Sequence, residues 1–338
     1  MNTDLCQTLG IDHPVIQAPI GSATCPELAA AVSEAGGLGH LSITWRSPDV
    51  VSEVVSETRE RTGEPFAVNL VVDADAQVYD PDELLTAALD AGAPVVSFSF
   101  GEPDDWIEQA HEAGAQVIVT VGSAAQAASA ADAGADVVCT QGSESGGHLQ
   151  SDVTTAALVP SVADEVDVPI VAAGGLSDGR GLAAALALGA DGVWLGTRFL
   201  ATPEANIAAV YRERVLDAAE TDTVRTELFD VGWPDQPHRV LRNETVDTWE
   251  AAGRPESGDR PGEGETVGAY PWGTEIHRYG DDLPIDGATG DLEAMALYAG
   301  QSAGTVSDLQ PAGEVVTTVV DEAEATIDRL GALTADSA

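Results

Sequence analysis

The sequence predicts an α/β fold, a (β/α)8 barrel carrying a small appended C-terminal subdomain. Three observations predict it. Apolar, strand-like runs alternate with alanine-rich helical runs eight times, the pattern of βαβ units in a parallel sheet. Eight such units within about 200 residues suit a closed barrel. An open doubly wound sheet usually places a Gly-x-Gly-x-x-Gly turn after its first strand; here that strand runs into Ala18-Pro19-Ile20-Gly21.

In order, the strand candidates are Val15–Ile20, Leu38–Ser42, Phe66–Val71, Val95–Phe100, Gln116–Val121, Ala135–Thr140, Ile170–Ala173 and Gly192–Leu195. Helices are expected between them. Pro26–Ala35 and Pro48–Thr62 open on a proline, which the first helical turn tolerates. Pro81–Ala91, Asp104–Ala113 and Ser123–Ala133 follow, each running into a Gly-Ala break, and Thr154–Val166, Asp178–Leu188 and Pro203–Asp217 complete the set. The joints Ala113-Gly114-Ala115, Ala133-Gly134-Ala135 and Leu188-Gly189-Ala190 each read as a helix C-cap feeding a strand.

The barrel is expected to fill residues 1–218. Residues 219–290 are polar, rich in Gly, Pro, Asp and Glu, and hold three of the six tryptophans. Arg254–Glu265 reads as loop. Compact domains rarely hold so long a structureless stretch, so 219–290 is expected to be a lid-like subdomain over one end of the barrel. Helices are expected at Leu292–Gly300 and Gly313–Leu330, with 291–338 packing back on the barrel.

Composition excludes several function classes. The formal charge is −43, all fourteen basic residues are arginine, and there is no lysine. Such a surface repels nucleic acid. It suits a high-salt environment, where screening removes much of the self-repulsion. Without lysine, Schiff-base aldolase, pyridoxal and P-loop chemistry are unavailable. No apolar run is long enough to span a membrane, the N-terminus lacks a signal-peptide layout, and Cys6, Cys25 and Cys139 form no disulfide framework. The expectation is a soluble, cytoplasmic protein.

In a barrel the chemistry sits at the C-terminal strand ends, with phosphate on the loops after strands seven and eight. Strand seven ends in Ala173-Gly174-Gly175-Leu176-Ser177-Asp178-Gly179 and strand eight in Leu195-Gly196-Thr197-Arg198-Phe199. Both offer backbone amides beside helix starts, which can bind phosphate without lysine. Thr197 hydroxyl is a further candidate, and Arg198 another. Strand one, ending Gln17-Ala18-Pro19-Ile20, is either simply terminated by its proline or kept small to admit a flat ring. Asn69, inside an apolar strand, is either a satisfied core polar group or a ligand to a heterocycle, and Gln141 at the end of strand six could do the same work. The loop Gln141–Gln150 holds three glycines and His148; a histidine so placed can move protons near neutral pH. His13, His40, His111, His238 and His277 lack such a loop and read as structural or surface groups. No metal-ligand spacing and no Gly-x-Ser-x-Gly elbow are present.

Together these segments resemble the nitronate monooxygenase family, FMN-dependent TIM-barrel enzymes. The resemblance runs through most of the chain. It is carried by Gln17-Ala18-Pro19-Ile20, Ala67-Val68-Asn69-Leu70, Val96-Ser97-Phe98, the Gly-x-Glu-x-Gly-Gly-His element within Gln141–His148, Ala172-Ala173-Gly174-Gly175, Gly196-Thr197-Arg198-Phe199-Leu200 and Tyr298-Ala299-Gly300-Gln301-Ser302. It implies FMN held by Ala18, Pro19, Asn69, Gln141 and Gly146, its phosphate on Gly174, Gly175, Gly196 and Thr197, and His148 as the catalytic histidine. Tyr298 would face the pocket. The implied reaction converts an alkyl nitronate, with O2, to a carbonyl compound and nitrite, His148 deprotonating neutral nitroalkanes.

The chain departs from the family pattern where Ser145 replaces an alanine, Leu149-Gln150 replaces Arg-Gly, and Ser99 stands where relatives often carry histidine. These changes bear on the substrate and leave the flavin loops intact. The resemblance also admits an NAD(P)H:quinone reductase or an FMN-dependent enoyl reductase. Expected partners are a small nitronate or nitroalkane and O2, with NAD(P)H and a homodimer left open, and no nucleic acid or membrane.

Overall fold

A computed structural model describes residues 1–335; the last three positions of the expected C-terminal segment lie outside the described residues. Eight parallel strands form the barrel: β1 (Val15–Gln17), β2 (Gly39–Ser42), β3 (Phe66–Val71), β4 (Val95–Ser99), β5 (Gln116–Val121), β6 (Val137–Gln141), β7 (Ile170–Ala173) and β8 (Gly192–Leu195). From β2 to β8 each pairs with the next, and β8 pairs with β1. A parallel bridge between Ile16 and Leu38 closes the ring, with Gln17 N donating to Leu38 O and Leu38 N to Val15 O, both at 3.0 Å.

Strand alternation divides the apolar side chains into two sets. Ile16, Ala67, Ile118, Val137, Cys139 and Val171 point inward, and Leu5 and Leu9 of the N-terminal helix Asp4–Leu9 plug the bottom. Val15, Val68, Val96, Val117, Val138 and Val193 face the surrounding helices. Most expected helices appear within a residue or two. The strand ends differ where backbone chemistry intervenes. Ala18 still donates to Leu195 O at 2.8 Å, but Pro19 has no N–H and β1 stops. Ala135 is held by Ala130 O in the preceding helix's C-cap, so β6 starts at Val137 and reaches Gln141.

Two expected helices change. Pro203–Asp217 is helical only over Ala209–Leu216; the earlier residues turn inward to bury Ala205 and Ile207. Leu292–Gly300 makes only a 3-10 turn at Leu292–Ala294. Every residue from Ala294 to Ala299 is buried, and other elements take the segment's backbone groups. Thr245 Oγ1 donates to Ala294 O, Asn243 Nδ2 to Met295 O, Leu241 N to Leu297 O, and Tyr211 Oη to Tyr298 O. A helix would have withheld those carbonyls. The last helix, Ala312–Ala335, packs on the helices Gly179–Ala187 and Pro26–Glu34, burying Val315, Val316, Val319, Val320 and Ala323 at helical spacing.

The polar stretch is more ordered than its composition suggests. β9 (Thr223–Thr226) and β10 (His238–Leu241) pair with each other, and β10 also pairs with Gly147–His148 of the barrel loop. A second small sheet joins β11 (Thr266–Ala269) to β12 (Glu275–His277) and β13 (Thr289–Gly290). The turns around them gather on Arg260, only 7 % exposed. Its guanidinium meets Asp230 at 2.8 Å and Glu263 at 2.6 Å and lies 4.4 Å from the Tyr279 ring centroid, a cation–π arrangement.

Gly39, at the start of β2, sits where a Cβ would come 2.5 Å from the Ala29 carbonyl carbon. Gly39→Ala must therefore displace the helix Pro26–Glu34 from the barrel. Chemical denaturation should show a loss of about 3 kcal/mol; parent-like stability would mean that this contact has slack.

Candidate active site

The C-terminal strand ends open into a single cleft of about 710 Å³, the position a barrel reserves for its chemistry. All ten sequence-predicted site residues line it: Ala18, Pro19, Asn69, Gln141, Gly146, His148, Gly174, Gly175, Gly196 and Thr197. They divide into an amide-rich end beside β7 and β8, a floor, and a His148 end under the appended sheet.

At the amide-rich end, Gly174 and Gly175 have φ of 106° and 72°, a region that favours glycine. A Cβ on Gly174 would lie 2.7 Å from Ser145 Oγ and 2.9 Å from Thr155 Oγ1. Thr197 Oγ1 accepts from Gly300 N at 2.9 Å. The Ser145 hydroxyl is buried without a hydrogen-bond partner, an arrangement that costs free energy unless a ligand supplies one. Backbone amides and hydroxyls here can cradle an anion. Arg198 takes no part: its guanidinium is turned away to Asp308 and to Gln310 at 2.8 Å, tying the loop after β8 to the segment before the last helix. The Asp178 carboxylate caps the helix after β7, so that helix's first amides are also spent.

At the floor, Asn69 Nδ2 donates to Ser97 Oγ at 2.9 Å and to Ser97 O and Ser99 Oγ at 3.3 Å. With the amide nitrogen committed, its oxygen is the group left for the cleft. Ser97 Oγ also meets His40 Nε2 at 2.9 Å. His40 is fully buried against Trp194, their centroids 4.6 Å apart, and burial lowers its pKa to about 3. It is a neutral core histidine. Cys139 also lines the cleft, and burial pushes its thiol pKa up, away from nucleophilic use.

The His148 loop is clamped from both sides. Gln141 Nε2 donates to His148 O at 3.0 Å while its Oε1 accepts from Gln150 N at 2.8 Å. Gln150 in turn accepts from Phe100 N at 2.8 Å. Gln141 thus spends its amide on the loop rather than offering it freely to a heterocycle. From above, His148 pairs with His238 in the antiparallel ladder, and Leu149 N donates to Pro237 O at 2.8 Å. Glu144 accepts from Thr155 N at 2.9 Å, so the glutamate of the motif holds the loop to the next helix.

The imidazole of His148 packs 4.3 Å from Trp233, 5.4 Å from Tyr298 and 5.4 Å from His238, centroid to centroid. Burial, reinforced by His238, lowers its pKa to about 3, and its Nε2 is enclosed with no partner. It is a neutral imidazole whose Nε2 meets no protein donor or acceptor. His238 differs: it faces Gln236 O through Nδ1 at 3.0 Å and accepts from Phe229 N at 3.3 Å, leaving neither nitrogen for chemistry.

Some lining groups had no signal in sequence. Trp233, Asp281 and Asp282 reach the cleft from the polar stretch. Tyr298, which the resemblance places at the pocket, lines it from the extended segment that replaced a helix.

A family model described as nitronate monooxygenase matches residues 2–322. One curated relative, from Mycobacterium tuberculosis, is a "(3aS,4S,5R,7aS)-5-hydroxy-7a-methyl-1-oxo-octahydro-1H-indene-4-carboxyl-CoA dehydrogenase", 35% identical, covering 96% of each chain. Among solved structures, FabK from Thermotoga maritima superposes with a TM-score of 0.81 at 32% identity, over 98% of this chain and 99% of that one. Nitroalkane oxidase from Streptomyces ansochromogenes gives 0.77 at 30%, over 97% and 100%. With its barrel and this cleft, the chain belongs to the nitronate monooxygenase family of oxidoreductase enzymes.

Proposed function

We propose that the protein binds FMN in this cleft and oxidises alkyl nitronates with O2 to a carbonyl compound and nitrite, His148 generating the nitronate from neutral nitroalkanes. The observation that carries the reading is a neutral histidine with an unpartnered nitrogen in the same cleft as an anion cradle of amides and hydroxyls. In the balanced reaction two nitronates and one O2 give two carbonyl compounds and two nitrites. FMN, when bound, supplies the electron transfer between the nitronate and oxygen.

The residues suit that cofactor. Gly174, Gly175, Gly196, Thr197 and the orphaned Ser145 hydroxyl would hold the phosphate. Ala18, Pro19 and Gly146 leave space for a flat ring, and the Asn69 oxygen would accept from a ring N–H. Gln141 positions the His148 loop, a change from direct contact with the ring. His148 Nε2 would take the α-proton of a neutral nitroalkane. Burial keeps it neutral at physiological pH, and Trp233 and Tyr298 shield it from water.

A second reading is redox chemistry beside an acyl thioester. It is favoured by the full-length likeness to the mycobacterial CoA dehydrogenase and to FabK. Against it, no arginine lines the cleft, whereas the phosphates of a CoA tail call for cations. Anaerobic titration of the FMN-loaded protein separates the readings. Bleaching by a short alkyl nitronate supports the first. Bleaching only by NADH makes the protein a nicotinamide-dependent reductase, and bleaching only by an acyl-CoA supports the second. Failure to bind FMN would overturn all three.

Two variants test the assigned roles. His148→Asn should retain FMN and turn over preformed nitronate, but lose about 10²- to 10⁴-fold on neutral nitroalkane. In the parent, kcat/KM on 1-nitrobutane, which offers the neighbouring carboxyls no donor, should stay level from pH 8 to 5, because a base with its pKa near 3 remains unprotonated throughout. Unchanged nitroalkane turnover in the variant, or a limb near pH 6.5 in the parent, would refute this role. Ser145→Ala removes an unsatisfied buried hydroxyl, so the apoprotein should melt no lower while FMN affinity falls about tenfold. Flavin fluorescence titration and thermal unfolding measure both, and unaltered affinity would remove Ser145 from the cradle.

A further inference from the structure

We infer that the Asp281 carboxyl is the substrate-recognition group of the cleft, selecting a substrate whose end remote from the nitro group offers it a hydroxyl or ammonium donor and turning away one whose remote end is anionic. The inference deepens the nitroalkane reading and rests on it for the identity of the reacting end.

The geometry sets this carboxyl at the His148 end. Asp281 packs on Gly232, where a Cβ would come 2.6 Å from the carboxyl carbon. The next residue, Trp233, lies 4.3 Å from the His148 ring. On the other side, Tyr298 Oη donates to Asp281 O at 3.0 Å, and the Tyr298 ring is 5.4 Å from His148. Asp281 is thus held between the two aromatic residues that flank the proposed base.

Its side chain has acceptor capacity to spare. The neighbouring Asp282 accepts from Tyr270 Oη at 2.8 Å, but among the described residues no other residue donates to the Asp281 carboxyl. Asp281 and Asp282 are the carboxylates lining the cleft, and no arginine lies among the lining groups to balance them. Burial and the adjacent Asp282 raise the Asp281 pKa to about 7, as expected of an acid without a counterion. A half-buried acid with spare acceptor capacity gains from a donor on the ligand; an anion beside this pair is repelled. With the nitro or nitronate end at His148, the remote end of the substrate would carry the donor that meets Asp281.

The test uses the FMN-loaded enzyme and three matched substrates: 1-nitrobutane, 3-nitropropan-1-ol and 3-nitropropionate. The alcohol should show the lowest KM and the propionate the highest. Asp281→Leu removes the acceptor and should raise KM for the alcohol about tenfold. Asp281→Asn removes only the charge. Both should lower KM for nitropropionate, opposite shifts that general loosening of the site would not produce. Binding is read independently of turnover by quenching of tryptophan fluorescence with 1-aminobutane and with butyrate. The parent should prefer the amine and Asp281→Leu should not. If nitro compounds are not turned over but this preference appears and is lost in the variant, the reaction assignment fails and the recognition role stands. Equal binding of amine and butyrate by parent and variants, or KM values that do not move, would overturn the role of Asp281.

Discussion

No lysine exists in this chain and no arginine lines its cleft, so an anion bound there must be held by N–H and O–H dipoles alone. That constraint explains much of the local architecture. Dipoles act only at short range, so the backbone must come close, and glycine at Gly174 and Gly175 allows it. Side chains that would crowd the space are absent, and hydroxyls from Ser145 and Thr197 stand where a cation would otherwise serve. Arg198, beside this cradle in sequence, is drawn off by Asp308 and Gln310. A barrel normally brings phosphate to the loops after its last two strands; here those loops would hold it without a cationic side chain.

The second organising element is the joint between the barrel and the appended sheet. His148 sits on a loop of the barrel, yet its backbone is a strand of the sheet built by β9 and β10. The same pairing brings His238 and Tyr298 toward the imidazole, while the neighbouring turn supplies Trp233. Taking the ring out of water lowers its pKa, and no partner is provided for Nε2. The neutral state and the enclosure of His148 are therefore properties of two parts of the chain together. Because Asp281 and Asp282 arrive from the same appended region, it furnishes both the roof over His148 and the carboxyls that line the cleft.

Buried parallel strands are short apolar runs, and their spacing against alanine-rich helices was enough to place eight strands and their intervening helices. The glycine loops after β7 and β8 were legible because barrel chemistry has a fixed address. Leu292–Gly300 was misread because an apolar run of that length suits a helix as well as a buried extended segment. The choice was made by Asn243, Thr245, Leu241 and Tyr211, which take its carbonyls from elsewhere in the fold. Gln141 was correctly placed at the cleft, but its amide faces its own loop, an orientation that only the hydrogen-bond partners reveal.

The sequence by itself determined the barrel, the address of the cleft and the candidacy of His148, because these depend on local periodicity, turn chemistry and strand order. The tertiary structure alone decided which polar groups remain free. His40 and His238 are fully buried and His148 is half-buried. His238 is engaged at both ring nitrogens by Gln236 and Phe229, His40 bonds Ser97 and lies outside the cleft lining, while His148 lines the cleft with an unpartnered Nε2. The contact that holds His40 joins residues 57 positions apart, and the cleft that His148 faces is assembled from the whole chain, so no local pattern could carry the difference.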